Sequence, residues 1–120
     1  MSNIANGAVL VVALLHLIFL VLEMFLWTKP TGRRIFGLSE QLATASASLA
    51  ANQGLYNGFL AAGLIWGLIT HDCAFTIKVF FLGCVIVAGV FGALTAKRSI
   101  LFVQALPAAV AMALVVMAQG

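Results

Sequence analysis

Residues 8–27 read AVLVVALLHLIFLVLEMFLW, a run in which only His16 and Glu23 titrate. About 20 predominantly apolar residues in a helix is the length that crosses a hydrocarbon core of roughly 30 Å. The run therefore reads as a membrane span, with Trp27 at the interface where an amphipathic indole is favoured. The rest of the chain agrees with it. Hydrophobic residues make up 64% of 120 positions and charged residues 8%, with a mean hydropathy of +1.20, a balance outside that of soluble globular domains. The expected fold is a single all-α domain over residues 1–120, a four-transmembrane-helix bundle embedded in the lipid bilayer.

Lys29-Pro30-Thr31-Gly32-Arg33-Arg34 follows the first span, with Pro and Gly as helix breakers and three positive charges, so a loop outside the bilayer is expected there. Ser39 is a predicted N-cap with Glu40 in the first turn, and only isolated glycines interrupt the helical pattern before Thr70. About 31 residues at 1.5 Å each reach roughly 46 Å, more than a bilayer requires. The second span is placed at about 46–69, its helix extended on the cytoplasmic side with Ser39 to Ser46 in water. Gly54 with Gly58, and Gly63 with Gly67, are pairs four apart that let another helix approach closely. After the short loop His71-Asp72-Cys73 comes a third span at about 77–95, with Gly83, Gly89 and Gly92 as packing positions. Lys97-Arg98 leads to a fourth at about 100–117, where Pro107 is expected to kink the helix or free a carbonyl one turn earlier.

Lys29, Arg33, Arg34, Lys97 and Arg98 fall in the first and third connections, against Lys78 alone at the edge of the second. By the positive-inside rule both basic connections face the cytoplasm and both termini the other side of the cell inner membrane. The net charge of +3 is then an orientation signal, and no nucleic-acid partner is expected. No Lys or Arg precedes Lys29, and the first apolar run is longer than a signal-peptide core, so it is expected to be retained. Cys73 and Cys84 lack zinc or redox spacing and read as unpaired thiols. The absence of an evident internal repeat weakens an inverted-repeat transporter reading.

Chemistry is expected around Asn52-Gln53-Gly54-Leu55-Tyr56-Asn57-Gly58-Phe59, where four hydrogen-bonding side chains fall within about two helical turns. A side-chain amide in hydrocarbon costs free energy unless paired. The topology puts Glu23, the Asn52–Asn57 cluster, Thr95 and Gln104 at one depth, as a polar cavity in the cytoplasmic half of the bundle would require. Glu23 is the sharpest single residue, because an ionisable group within a span marks a functional site by default. The structural alternatives are that it reaches interfacial water or pairs with Arg33 or Arg34. For the amides and Tyr56 the alternative is interhelical hydrogen bonding that holds the bundle. His16 lies seven residues before Glu23 on nearly the same face but roughly 10.5 Å deeper, too far for one ion to join them. It reads as a ligand contact or a satisfied core histidine, and axial haem ligation is disfavoured because no second histidine lies within a span. No metal is expected and no cofactor is specified.

His16, Phe19, Glu23 and Trp27, then Asn52-Gln53-Gly54 with Tyr56-Asn57-Gly58-Phe59, then Ala88-Gly89, Gly92 and Thr95, and finally Gln104 with Pro107-Ala108, resemble a family of small bacterial and fungal membrane proteins catalogued as domain of unknown function 1304. The resemblance covers nearly the whole chain and implies four transmembrane helices, with no activity to carry over. A weaker likeness is to the membrane-associated eicosanoid and glutathione metabolism enzymes, trimers of four-helix subunits with a basic first loop and an overlong second helix. At that family's charged positions this chain has Gln53-Gly54 and Leu60, which argues against glutathione binding. The small multidrug resistance exporters share the length, the four helices and a Glu in the first helix. They work as antiparallel dimers, which the basic bias here opposes.

The functional expectation is an intramembrane enzyme of transferase or isomerase type acting on a small amphipathic molecule, with Glu23 or Tyr56 handling a proton. His16, Asn52, Gln53, Asn57 and Gln104 are the expected ligand-binding residues, in a homo-oligomer, trimer or dimer. The alternatives are a proton-coupled transporter with Glu23 as coupling carboxylate, and a structural or assembly protein.

Overall fold

The computed structural model describes residues 2–119. Among these the chain is all-α, as the composition predicts, with no strand. Its helices are α1 (Ser2–Met24), α2 (Pro30–Phe36), α3 (Glu40–Ile69), α4 (Ala74–Thr95) and α5 (Leu106–Gln119), the last entered through a π-helical turn at Leu101–Ala105. By length and composition, α1, α4 and the continuous helix Leu101–Gln119 suffice to cross a membrane. Three helices thus meet that standard where four were expected. At 30 residues α3 is long enough, but Asn52, Gln53 and Asn57 dilute its apolar character.

The largest departure from expectation lies between α1 and α3. Residues 29–34, expected as a loop, belong mostly to a short helix. Pro30 takes the first helical position, where its missing N–H forfeits nothing. The Arg33 amide donates to the Lys29 carbonyl at 3.0 Å, and the helix closes at Gly37 in the left-handed conformation, φ 66. Gly32 is buried with the Leu26 carbonyl directly over it, so a β-carbon would collide with backbone. Here Pro and Gly start and pack a helix rather than break one.

The start of α3 follows the sequence. The Leu42 amide donates to Ser39 Oγ at 3.1 Å, making Ser39 the cap. At the far end, the exposed Cys73 adopts the left-handed conformation, φ 59, at the N-cap of α4, and both cysteines are free. Pro107 acts upstream, since it has no N–H for the Val103 carbonyl. The helix widens there, with the Leu106 amide donating to the Leu101 carbonyl five residues back.

Two compact units divide the chain: residues up to Leu14 together with those from Leu60, and Leu15–Phe59. The core of the first is built from all four long helices, with Val9 and Val12 of α1, Leu64 of α3, Leu82 and Val85 of α4, and Ala108, Ala111 and Val115 of α5. Small residues set its closest approaches. A β-carbon at Gly89 would lie 2.6 Å from the Ala105 amide nitrogen, and one at Gly92 would lie 3.1 Å from Ile100 Cγ2. Gly63 receives the Phe81 ring. Gly83, expected as a packing position, is not one, because nothing lies within 4 Å of a β-carbon built there.

Candidate functional site

In the second unit, Leu15–Phe59, the buried positions of α3 are Ala43, Ala50, Gly54 and Asn57. Their spacing of seven, four and three keeps them on one helix face. Three of the four are small, so α1 comes very close. A β-carbon at Gly54 would lie 2.7 Å from Met24 Cγ and 3.1 Å from Glu23 Cβ, and one at Gly58 would lie 2.7 Å from Leu20 Cδ1. Gly54 and Gly58 therefore have the packing role their spacing implies, with α1 as the partner.

That approach brings Glu23 to Asn57. Asn57 Nδ2 donates to Glu23 Oε1 at 2.5 Å. Asn57 is 5% exposed and Glu23 is half-buried. The contact satisfies an amide that would otherwise be costly in apolar surroundings. It also holds the carboxyl in one orientation with Oε2 left for another partner. Neither Arg33 nor Arg34 takes that place. Arg33 lies 3.9 Å from the exposed Glu40 instead, a surface pair that contributes little.

The remaining sequence candidates are distributed differently. Asn52, Gln53 and Tyr56 are exposed, and the Tyr56 ring lies 5.9 Å from that of Phe59. Of the polar cluster on α3, Asn57 alone turns inward to the α1 face of this unit. His16 is fully buried, edge-on to Phe19 with ring centroids 5.2 Å apart. Gln104 belongs to the first unit, half-buried on the π-helical turn.

One polar contact of this unit escaped the sequence reading. Trp27 Nε1 donates to Ser46 Oγ at 3.0 Å, and Ser46 donates onward to the Leu42 carbonyl at 2.7 Å. The Trp27 ring packs on Phe36 with centroids 4.8 Å apart. Four residues beyond Glu23, this contact ties the exit of α1 to α2 and α3. Its available signal was the pairing of one indole with one serine in the first turns of α3, which spacing along the chain cannot connect.

Chemically, an amide-oriented carboxyl between apolar helices can exchange a proton or hold a cationic or hydrogen-bond-donating group. The other described carboxylates, Glu40 and Asp72, are both exposed, so no second carboxyl joins Glu23 for paired acid–base chemistry. Among the described residues no three His, Cys, Asp or Glu side chains gather as a metal site. A groove runs along Ser39, Glu40 and Thr44, and a cavity of about 160 Å³ lies among Asn6, Phe75 and Lys78. Neither is lined by Glu23 or Asn57.

The family described as "Protein of unknown function (DUF1304)" matches residues 10–116, the stretch that holds Glu23, Gly54, Asn57 and Gly89. The chain belongs to this family. DUF1304 is the family its sequence resembles, and membership brings no named activity. The chain is also similar to "Uncharacterized protein YpaA" of Lactococcus lactis subsp. lactis (strain IL1403), 32% identical over 97 residues, which cover 79% of this chain and 82% of that protein. No solved structure is significantly similar to the chain.

Proposed function

We propose that this DUF1304 protein has four transmembrane spans, α3 being the fourth, and that Glu23 and Asn57 form a binding site for a small amphipathic molecule in the cytoplasmic half of the bilayer. The observation that carries this reading is the hydrogen bond from Asn57 to Glu23 where α3 packs closely on α1 through Gly54 and Gly58. The sequence contains few charges in its spans, and one that is given a dedicated amide partner is the natural place for chemistry. The basic residues of 29–34 and 97–98 support cytoplasmic connections, with both termini on the opposite side of a cell inner membrane.

As an enzyme of transferase or isomerase type, the protein would use Glu23 Oε2 to take a proton from one position of the substrate and return it at another. Asn57 keeps the carboxyl oriented, and the apolar side chains of Leu20 and Met24 limit access of water. Tyr56, Asn52 and Gln53, being exposed, take no part in that step. In a homo-oligomer, a trimer or dimer, outward polar side chains of this kind find partners on the neighbouring copy.

Proton-coupled transport is the second reading, and one observation favours it. The polar contact of this unit at Glu23 is a single carboxyl with a single amide, and exchange of a proton for a cationic solute needs no more than that.

Glu23→Gln tests both readings. It keeps an oxygen acceptor for Asn57 and abolishes ionisation. Native mass spectrometry of protein released from mild detergent is expected to show a retained small molecule on the wild type, lost from the variant at equal helicity. The same adducts on both proteins would sink the assignment of Glu23. Solute-driven proton uptake into liposomes would select transport over catalysis.

A further inference from the structure

Lys78 is the charged residue that the proposed site leaves unexplained. It stands in the first turns of α4, a helix apolar enough to span a membrane, and is half-buried. The fold makes room for it. Gly67 of α3 lies against its stem, where a β-carbon would approach Lys78 Cγ to 2.7 Å. At the tip, Lys78 Nζ donates to Asn6 Oδ1 of α1 at 2.8 Å. No carboxylate pairs with Lys78 among the described residues, where the ion pair found is Arg33 with Glu40. A half-buried ammonium is thus guided by a glycine and held by a neutral amide, with no carboxylate partner among the described residues.

Around that ammonium lies the cavity of about 160 Å³, to which Ser2, Asn6, Lys78 and Gln119 bring polar side chains and Phe75 and Val115 bring apolar ones. The volume equals roughly five times the ~30 Å³ share of one liquid water, enough for a compact anionic group. Donors outnumber acceptors among the lining side chains. Asn6 spends its carbonyl oxygen on Lys78 and keeps its two N–H groups, Lys78 keeps two of its three, Gln119 adds two N–H groups and one carbonyl oxygen, and the Ser2 hydroxyl can donate or accept. Such a set matches a ligand carrying charge and several acceptor oxygens. The cavity lies where α1 begins, α4 begins and α5 ends. Those are ends of the three helices apolar enough to span a membrane, the level at which lipid headgroups sit.

We propose that this cavity binds a phosphate-ester anion, with Lys78 as the charged contact and Asn6 positioning it, supplied by an anionic phospholipid headgroup or by free phosphate. The site stands independently of the reading of Glu23, because its residues and their contacts all lie in the first unit.

The test uses the full chain in mild detergent, titrated with short-chain phosphatidylglycerol and, separately, inorganic phosphate, with bound lipid counted by native mass spectrometry. Phosphatidylglycerol is expected to bind about fivefold more weakly to Lys78→Gln than to wild type, the factor that one lysine contributes at an anionic lipid. Lys78→Arg should retain most of the binding, and the exposed Lys29→Gln should leave it unchanged. Displacement of the lipid by inorganic phosphate would make the free anion a competent source, and failure of displacement would assign the site to the headgroup. Equal binding by wild type and Lys78→Gln, or an equal loss in Lys29→Gln, overturns the proposal. If Lys78→Gln does not fold, Asn6→Ala carries the test. It keeps the charge and releases Nζ, so binding should weaken by a smaller factor, and unchanged binding there would also overturn the site.

Discussion

Asn57 is the residue whose removal is the most informative. Its amide is the hydrogen-bond partner of Glu23, and truncating it leaves a half-buried carboxyl without a protein donor. Asn57→Ala is therefore expected to destabilise the protein by about 1–3 kcal/mol, read as a lower thermal midpoint by circular dichroism in detergent. An unchanged midpoint would show that water or lipid already satisfies Glu23. Trp27→Phe is a milder case. The ring still packs on Phe36, but the Ser46 hydroxyl loses its donor, so a cost of about 0.5–1.5 kcal/mol is expected in the same melting experiment. Both inward partners, Glu23 and Asn57, were legible as candidates because polar groups in apolar runs stand out. Which neighbour each would meet was not, since Asn52, Gln53 and Tyr56 have the same chemical claim as Asn57 and differ only in the face they occupy.

At the scale of the element, glycines decide how closely helices approach, and they are not equivalent. Gly89 abuts the backbone of Ala105, whereas Gly83 faces open space. Gly89→Ala should push α4 away from the π-helical turn at a cost of about 1–3 kcal/mol. Gly83→Ala should be neutral or stabilising by about 0.5–1 kcal/mol, because alanine loses less backbone entropy in a helix. Parallel thermal melts check this, and equal destabilisation by the two substitutions would contradict the packing. The sequence marks both residues identically. Spacing locates a glycine on a helix face but does not say whether another helix covers that face. The same limit explains α2. Pro30 and Gly32 are breakers in isolation, yet Pro30 suits a first turn and Gly32 has backbone over it, a role visible only once Leu26 is in place.

For the whole molecule, the proposed topology makes a prediction about two thiols. Cys73 is exposed in the connection between α3 and α4, and Cys84 lies half-buried within α4. With the basic connections in the cytoplasm, a membrane-impermeant maleimide added to intact spheroplasts should label Cys73 and spare Cys84. Labelling of Cys73 that appears only after permeabilisation would invert the orientation.

By itself the sequence determined the all-α class, the long α3 with its Ser39 cap and the apolar helices. Each of these follows from local propensity, length or periodicity, which are properties of neighbours along the chain. Only the tertiary structure decided that Asn57 rather than Tyr56 meets Glu23, that Trp27 reaches Ser46, and that Lys78 runs past Gly67 to Asn6. Those pairings join residues 19 to 72 positions apart, and they depend on the rotation of one packed helix about its axis relative to the next. Helical periodicity leaves that rotation open, and the contact between small residues settles it.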